Sequence, residues 1–551
     1  MNHRSLNLAR FFTLISLEKC LIVTLFLGVF LRCLYLGSRE FWYDEILSLL
    51  LATGQKYAYQ TPESFPVSLS SYSSLLTLPA EFNFSDILIT FKNLLRGLAA
   101  EPHPPLFFIS QHFWLRLFGN SEAAMRSLGV FLSCIAIFAA YELGKVIANH
   151  RCGLIVASLL SLNPFFFFQS LNVRMYNSLV LWVIISALAS LKLLTQTLSR
   201  RQQFFWNLIL IFSVIFGLMT FYQYAYFIVA LAVLAVFIYY ENLYQVFLHF
   251  LRISLGFLLA IPWIVWGLSQ QIKNADLGRF NTTNNIFISF LLHLKDIGES
   301  LGVNLLIGDW QTSLPLNLIV IIGLVFALIL LGAICILWHQ NRQKLGIALI
   351  LSLFPLVIAF CVDFATQKYT LAENSKSIII LPGTLLLLSL AINHLSSRWQ
   401  KPLIATLLLL YLSVSLGDFS IRNRQMFHSI NNLIQQQPTT PTLIAMNSRA
   451  WGYVLRLAYY IKPNAAVMLL AQESANLSPN LEKLLNYEAS IYQRILWIDV
   501  AAPIWSPPST PTEKQKVEKV LKSKFKLTQN QELFGTQDLD KFTINLYQIK
   551  N

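Results

Sequence analysis

Long runs of apolar residues recur along the first 420 positions of the chain, as in Leu318–Leu337 and Ile378–Ile392. The runs are continuous and show no alternation of polar and apolar residues, which favours helices over the strands of a membrane barrel. The hydrocarbon core of a bilayer is about 30 Å thick, and about 20 helical residues cross it. The longer runs have this length, so the pattern predicts a chain that spans a membrane several times.

The positions of these runs predict eleven spans. Only helices and closed barrels satisfy their backbone hydrogen bonds in lipid, so the predicted fold is an all-α polytopic membrane protein. The predicted spans lie at 20–36, 123–144, 153–169, 177–197, 205–221, 224–240, 248–268, 316–338, 345–362, 376–393 and 402–418.

Basic residues are concentrated in alternate loops between these spans. Arg4, Arg10 and Lys19 precede the first span, and Arg200 with Arg201 lies in a later loop of the same side. Loops rich in lysine and arginine stay in the cytoplasm. The amino terminus is therefore predicted to be cytoplasmic, and eleven spans place the carboxyl terminus on the outer side.

A further apolar stretch, Pro104–Phe118, is shorter than the predicted spans and carries His112 and Arg116. If it were a span, every later loop would be inverted and the basic clusters would lie outside. We therefore expect an interfacial or re-entrant helix. The segment 37–122 then becomes one long outer loop.

After residue 420 the chain changes character. Short β-forming runs alternate with helical patterns, which predicts a small α/β domain. The predicted domains are a transmembrane domain at 1–420, which includes the outer loop 37–122, and a soluble extracytoplasmic domain at 421–551. The β-forming runs lie at 442–445, 466–470, 495–500 and 542–549, and the helical patterns at 451–461 and 512–522.

Composition agrees with a membrane protein and excludes other classes. Charged residues make up 12% of the chain, whereas soluble domains carry about 25%. The net charge of +14 would suit a nucleic-acid-binding protein, but many of the basic residues lie in short loops between spans, so no nucleic-acid partner is expected. The six cysteines form no CxxC pair, and they indicate neither a metal site nor a disulfide framework.

Polar residues with chemical potential are concentrated in the outer loop. Just after the first span, Phe41-Trp42-Tyr43-Asp44-Glu45 places two adjacent carboxylates beside three aromatic rings. One interpretation is the solvated start of a loop helix that Asp44 caps. The other is a carboxylate that serves as a general base or binds a metal.

Two later segments add candidates. Glu101-Pro102-His103-Pro104-Pro105-Leu106 lies in the same loop, and Asn172-Val173-Arg174-Met175-Tyr176 follows the third span. Arg174 lies on the predicted outer side, against the trend of the basic residues. Its guanidinium is either a phosphate ligand or a surface group that reaches the lipid headgroups.

The order of these elements resembles the GT-C superfamily of glycosyltransferases. It is most similar to family 39, which includes protein O-mannosyltransferases and resembles the aminoarabinose transferases that modify lipid A. The resemblance covers roughly residues 15–395. The matching elements are Asp44-Glu45, His103-Pro104-Pro105-Leu106, Phe118-Gly119 with Glu122 and Arg126, and Arg174-Met175-Tyr176.

The resemblance implies an inverting glycosyltransferase that moves a sugar from a polyprenyl-phosphate donor to an acceptor hydroxyl on the extracytoplasmic face. Asp44 would be the catalytic base, with Glu45 and Glu101 as further catalytic carboxylates. The implied donor and phosphate ligands are His103, Arg126, Arg174, Tyr176, Lys368 and Lys376. The implied acceptor or sugar contacts are Trp42, Tyr43, Gln223 and Tyr224.

Two positions depart from the family pattern. Gln223 stands where relatives often have a histidine, and Lys376-Ser377 stands where they often have Arg-Tyr. These departures bear on the identities of the acceptor and of the donor, a hexosyl or pentosyl lipid phosphate, more than on the reaction class.

The expected partners are a polyprenyl-phosphate sugar, membrane lipid and an acceptor that is a protein, a lipid or a glycan. No cofactor is required by the resemblance, and a divalent cation is left open. The expected location is the bacterial inner membrane, with the active site outside. The alternative is a membrane transporter or lipid flippase, which would place ionisable groups within its spans; here the candidates are concentrated in outer loops.

The predicted topology is tested by cysteine labelling in a cysteine-free background. A Ser110→Cys variant is expected to react with an impermeant reagent added from outside, or to behave as an interfacial residue. A cysteine at Arg200 is the control and should react from inside only. Labelling of the 119–122 turn from inside alone would contradict the topology.

Overall fold

A computed structural model of the chain describes residues 16–274, 285–368, 374–488 and 491–550. Most of these residues are helical. The helices of the first half are α1 (Leu17–Tyr35), α2 (Tyr43–Ala52), α3 (Leu69–Ser73), α4 (Phe84–Leu98), α5 (Leu106–Phe118), α6 (Glu122–Ile147), α7 (His150–Leu162), α8 (Pro164–Ser170), α9 (Tyr176–Thr195), α10 (Arg200–Thr220), α11 (Tyr224–Tyr239) and α12 (Leu243–Trp263). Those of the second half are α13 (Ser269–Asn274), α14 (Ile286–Gly302), α15 (Leu316–Gln340), α16 (Arg342–Leu351), α17 (Leu353–Thr366), α18 (Leu381–His394), α19 (Ser397–Ile421), α20 (Met426–Gln435), α21 (Trp451–Tyr460), α22 (Ser474–Glu488) and α23 (Pro511–Lys524).

One sheet of six strands accompanies the helices, in the order β1-β3-β2-β4-β6-β5. Strand β2 runs parallel to β3 and β4, while β6 runs antiparallel to β4 and β5. The short edge strand β1 comes from the predicted outer loop and pairs with β3 through Val67 and Leu469. The strands are β1 (Val67–Ser68), β2 (Thr442–Met446), β3 (Val467–Ala471), β4 (Arg494–Val500), β5 (Phe525–Phe534) and β6 (Lys541–Ile549).

The chain divides into two compact units, which are described separately below. Unit 1 consists of residues 1–36, 98–107 and 126–420, and unit 2 consists of 37–97, 108–125 and 421–551. Most of the predicted outer loop therefore belongs to the same unit as the carboxy-terminal segment. The predicted division at residue 420 had placed this loop in the transmembrane domain.

Unit 1 contains the membrane helices. A helix or a bent helix pair lies at each of the eleven predicted positions. Within the described residues, seven helices are long and apolar enough to cross a membrane, and two bent pairs raise this number to nine. The chain is thus an integral membrane protein of the predicted helical class, and the number of spans stays a prediction.

The third predicted span is broken by 63° between α7 and α8. Pro164 has no N–H and is tolerated in the first turn of α8, and the Asn163 side chain caps that turn by accepting the N–H of Phe166 at 2.9 Å. The buried guanidinium of Arg32 donates to the carbonyl of Ser161, in the last turn of α7, at 2.6 Å. A cation at the carboxyl end of a helix is stabilised by the helix dipole, so Arg32 stabilises the break.

Unit 2 is built around the predicted α/β domain. Each strand and helix predicted after residue 420 is present, with ends shifted by one or two residues. One face of the sheet is covered by α22 and α23, through Leu477, Leu481 and Leu521. Strand β5 and helices α20 and α22 were not predicted from the sequence. The predicted small α/β fold of the carboxy-terminal region is confirmed, and its bounds and its extracytoplasmic location stay predictions.

The stretch after Pro104 forms the 13-residue helix α5, which is shorter than a membrane span. Its two ionisable residues are both paired in unit 2: Arg116 donates to His112 Nε2 at 3.0 Å and to both oxygens of Glu81. These contacts with Arg116 lower the pKa of Glu81 below its usual value. Phe113 and Leu117 of the same helix are exposed. An apolar face with paired charges suits an interfacial helix.

Helices α14 and α15 of unit 1 pack closely through glycines. A methyl group on Gly323 would overlap the carbonyl of Gly298, whereas one on Gly332, in the same helix, would meet nothing within 4 Å. Small residues allow the backbones of membrane helices to approach.

Gly323→Ala is therefore expected to destabilise the protein by about 1–3 kcal/mol, because overpacking forces the helices apart. The measurement is the thermal unfolding midpoint in detergent. Gly332→Ala is the matched control and should leave the midpoint unchanged or slightly higher, since alanine favours helix. Equal midpoints for the two variants would contradict the close packing.

Candidate active site

The Asp44-Glu45 pair begins helix α2 in unit 2. Asp44 is half-buried in the first turn, and Ser48 Oγ donates to its backbone carbonyl at 3.1 Å. Glu45 is 1% exposed, and its carboxylate accepts the backbone N–H of Trp42 at 3.1 Å. Glu45 therefore satisfies a backbone donor at the start of this helix, where one of the two interpretations of the sequence had placed Asp44 as the cap.

The two aromatic candidates beside this pair differ in environment. Trp42 is half-buried. The ring of Tyr43 is buried against Trp451, with 4.2 Å between ring centroids, and lies edge-on to Tyr453. The structure thus uses Tyr43 in packing within unit 2, and its predicted role as a sugar contact stays a prediction.

In unit 1, the structure brings two predicted donor ligands into contact. Arg174 lies in the turn between α8 and α9 and is 3% exposed. Its Nη2 lies 3.0 Å from Nε2 of His103. A guanidinium has only donors, so Nε2 accepts and the ring proton is on Nδ1. His103 is then a neutral imidazole that orients the cation.

A further amide, which the sequence analysis did not identify, fixes the segment that carries His103. Gln271 Nε2 donates to the carbonyl oxygens of Leu98 and His103, at 3.0 and 2.8 Å. Its Oε1 accepts the hydroxyl of Tyr222 at 2.6 Å, and Trp263 Nε1 donates to that hydroxyl at 3.0 Å. The one available signal was Pro262, which precedes the π-helical turn Ile264–Leu268 ahead of α13.

Two further predicted donor ligands of unit 1, Arg126 and Tyr176, have contacts of their own. Arg126 is buried, with Nη1 3.4 Å from the carbonyl of Leu36. Tyr176 is the first residue of α9 and packs edge-on against Phe221. These contacts give both residues a role in packing or local hydrogen bonding.

Gln223 and Tyr224 are adjacent in the chain but differ in burial. Gln223 is half-buried before α11, whereas Tyr224 is fully buried and its hydroxyl donates to Ser186 at 2.8 Å. Tyr224 therefore packs between helices of unit 1 and is not brought together with His103 and Arg174 by any contact described here.

Glu101 and the two lysines complete the predicted set. Glu101 is half-buried in a turn, where its carbonyl accepts the N–H of His103 at 2.8 Å. Lys368 follows α17, and its carbonyl lies 3.2 Å from Nε2 of His293. The side chain of Lys376 lies outside the part of the chain that the structure describes.

Within residues 16–274, 285–368, 374–488 and 491–550, no group of three or more His, Cys, Asp or Glu side chains has an arrangement that would hold a metal ion.

Comparisons with known proteins define the fold. A family model described as dolichyl-phosphate-mannose-protein mannosyltransferase matches residues 102–266, a part of the chain that includes His103 and Arg174. No curated protein matches the chain significantly.

Among solved structures, apo ArnT from Cupriavidus metallidurans is 11% identical, with a TM-score of 0.56 over 95% of this chain and 97% of that one. The same protein bound to undecaprenyl phosphate is 10% identical, with a TM-score of 0.54 over 96% and 98%. An oligosaccharyltransferase from Archaeoglobus fulgidus is 10% identical, with a TM-score of 0.48 over 93% and 72%.

At these identities the ArnT structures establish the fold alone. The chain has the GT-C fold, that of a class of membrane-embedded glycosyltransferases that includes ArnT. The chain is similar to ArnT from Cupriavidus metallidurans over nearly the whole length of both chains. The predicted fold class is confirmed.

Proposed function

We propose that the chain is an inverting glycosyltransferase that takes a sugar from a polyprenyl-phosphate donor. The observation that carries the proposal is the buried Arg174 guanidinium, which His103 orients in a turn of a GT-C fold. ArnT, which shares this fold, was solved with undecaprenyl phosphate bound. The matched family model is named for a dolichyl-phosphate sugar.

Arg174 suits a phosphate ligand for electrostatic reasons. A guanidinium fork matches two phosphate oxygens and keeps its charge at every physiological pH. Removal from water strengthens its attraction for an anion. A donor that is already oriented needs no reorganisation when charge develops on the leaving group. In this proposal Arg174 stabilises the negative charge of the departing phosphate.

Asp44 is the proposed general base. It removes the proton from the acceptor hydroxyl, whose oxygen forms a bond to the anomeric carbon. The bond between that carbon and the phosphate oxygen breaks, and its electron pair leaves with polyprenyl phosphate. Phosphate is a good leaving group, so no protonating acid is required. Asp44 is half-buried, whereas the neighbouring Glu45 is 1% exposed, which favours Asp44 for contact with an acceptor.

We also propose a side of the membrane for the reaction. The reaction would take place on the extracytoplasmic face of a bacterial inner membrane, where polyprenyl-phosphate sugars and an acceptor meet. The acceptor is a hydroxyl of a protein, a lipid or a glycan, and the sugar is a hexose or a pentose.

Asp44→Asn is expected to lower kcat for sugar transfer by at least about 100-fold, since the amide cannot take up a proton and general base catalysis contributes about 10²–10⁴-fold. The measurement is transfer of radiolabelled sugar from polyprenyl-phosphate sugar by the purified protein to acceptors in a membrane extract. Asp86→Asn, which changes a carboxylate in α4 of the same loop, is the control and should retain activity. Full activity of Asp44→Asn would refute the assignment.

Arg174→Gln is expected to weaken binding of undecaprenyl phosphate by about 10- to 100-fold, because a hydrogen bond to a charged group contributes about 1.5–3 kcal/mol. Arg174→Lys should fall between Gln and the wild type, since it keeps the charge and loses the fork. The measurement is equilibrium binding to the purified protein in detergent.

Arg151→Gln, which removes an exposed arginine of unit 1, is the control for net charge and should bind normally. Unchanged thermal midpoints would show that each variant is folded. Equal affinities of the wild type and Arg174→Gln would exclude Arg174 as the phosphate ligand.

A further inference from the structure

In the segment that carries Asp44, buried residues alternate with half-buried ones. Phe41, Tyr43 and Glu45 are 1%, 8% and 1% exposed, whereas Trp42 and Asp44 are half-buried. All five residues belong to unit 2, which also contains the carboxy-terminal segment 421–551. The contacts of the buried residues therefore show what fixes the position of Asp44.

Tyr460, the last residue of α21, bridges two parts of the outer loop. Its hydroxyl accepts the backbone N–H of Phe41 at 2.6 Å and donates to the carboxylate of Glu122 at 2.5 Å. Burial and the charge of Glu122 raise the pKa of Tyr460 well above its ordinary value. The hydroxyl therefore keeps its proton and holds both partners.

Glu40 makes a second connection, to the start of helix α20. Its carboxylate accepts the backbone N–H groups of Phe427 and His428 at 3.1 and 2.6 Å, and the ring Nδ1 of His428 lies 2.8 Å away. The amino end of a helix favours an anion. The hydrogen bond to Glu40 raises the pKa of His428 above its ordinary value.

Tyr43 makes the third connection, to the middle of α21. A side chain at Gly452 would overlap the Tyr43 ring, so the helix can approach only because this residue is glycine. Arg456, which lies 6.0 Å from the centre of that ring, is bound by both oxygens of Asp540 at 2.8 and 2.7 Å. A buried charge pair with this geometry resists displacement, so the packing around Tyr43 is rigid.

We propose that the carboxy-terminal segment positions Asp44 for catalysis, with Tyr460 as the positioning residue that ties Phe41 and Glu122 to α21. The proposal rests on the role of Asp44 in the proposed function. Residues 40, 41 and 43 are each bonded to or packed against the carboxy-terminal segment, so the backbone that precedes Asp44 has little freedom. Tyr460 does not touch the reacting atoms in this account.

Misplacement of Asp44 is expected to lower the rate of sugar transfer. A base that is misplaced by about 1 Å can lose about 100-fold in rate, while binding of the donor phosphate does not depend on Asp44. Tyr460→Phe keeps the ring and removes only the hydroxyl. It is expected to lower kcat about 10- to 100-fold and to leave the KM for the donor within about twofold.

The test uses the full-length protein in detergent and two measurements. The first is sugar transfer from polyprenyl-phosphate sugar, analysed as kcat and KM. The second is hydrogen–deuterium exchange of the peptide that spans residues 40–46, which is expected to become faster in Tyr460→Phe because the N–H of Phe41 loses its acceptor. Tyr72→Phe is the control: it removes another buried hydroxyl of unit 2, one that donates to the carbonyl of Gln60 at 3.1 Å, and should change neither measurement.

A kcat within twofold of the wild type, or unchanged exchange of residues 40–46, would overturn the proposal. A drop in kcat with equal loss of undecaprenyl phosphate binding would also overturn it, because it would indicate general destabilisation. If the wild type transfers no sugar, the proposed function fails, and the exchange measurement alone then decides whether Tyr460 holds the segment.

Discussion

The hydrocarbon interior of a membrane provides no partner for a backbone N–H or carbonyl, and this constraint determines where unit 1 can place polar chemistry. Wherever a helix stops, another group has to satisfy the released backbone. At the break after α7, Arg32 donates to Ser161 and the Asn163 side chain donates to the carbonyl of Asn304 at 2.9 Å. The chain can therefore leave the helical path only at places that are supported from elsewhere in the fold.

The residues of the candidate phosphate site lie at or beside places where a helix ends or changes its winding. Arg174 lies just after the short helix α8, Tyr222 lies between α10 and α11, and Gln271 follows a π-helical turn. Each of these residues comes from a position where a helix ends or changes its winding. Gln271 satisfies the carbonyls of Leu98 and His103, and His103 in turn contacts Arg174.

Unit 2 is governed by the related requirement that buried carboxylates be hydrogen-bonded. Glu40 accepts backbone N–H groups of α20, Glu45 accepts that of Trp42, and Glu81 is bound by Arg116. These carboxylates fix the predicted outer loop through the donors that they satisfy. Asp44 lies between Tyr43 and Glu45, two buried residues whose contacts lie in the same unit.

The apolar runs predicted a helix or a bent helix pair at each of the eleven positions, and the β-forming runs predicted four of the strands of the α/β domain. The break at Asn163-Pro164 has a local signature, an asparagine cap before a proline, but its angle depends on Arg32, which is 129 residues away from Ser161. Helix α4 was missed because it lies in a segment interpreted as loop. Strand β1 has two residues and exists through its pairing with β3.

The candidate site was predictable in part. His103 and Arg174 were identified as separate motifs, yet their contact joins positions 71 residues apart, and no spacing rule contains it. Gln271 and Tyr460 belong to none of the motifs identified in the sequence. An amide or a phenol in an apolar context usually forms structural hydrogen bonds, so the residue type alone did not indicate a site. The family resemblance implied that Tyr43 contacts sugar; its burial against α21 arises from long-range packing.

The central claim is that this GT-C fold binds the phosphate of a lipid-linked donor at Arg174. The most direct test is an experimental structure of the protein with undecaprenyl phosphate added. The account predicts phosphate density within hydrogen-bonding distance of the Arg174 guanidinium, with the contact to His103 retained. Phosphate density at another place, with Arg174 unchanged and not in contact with it, would contradict the account.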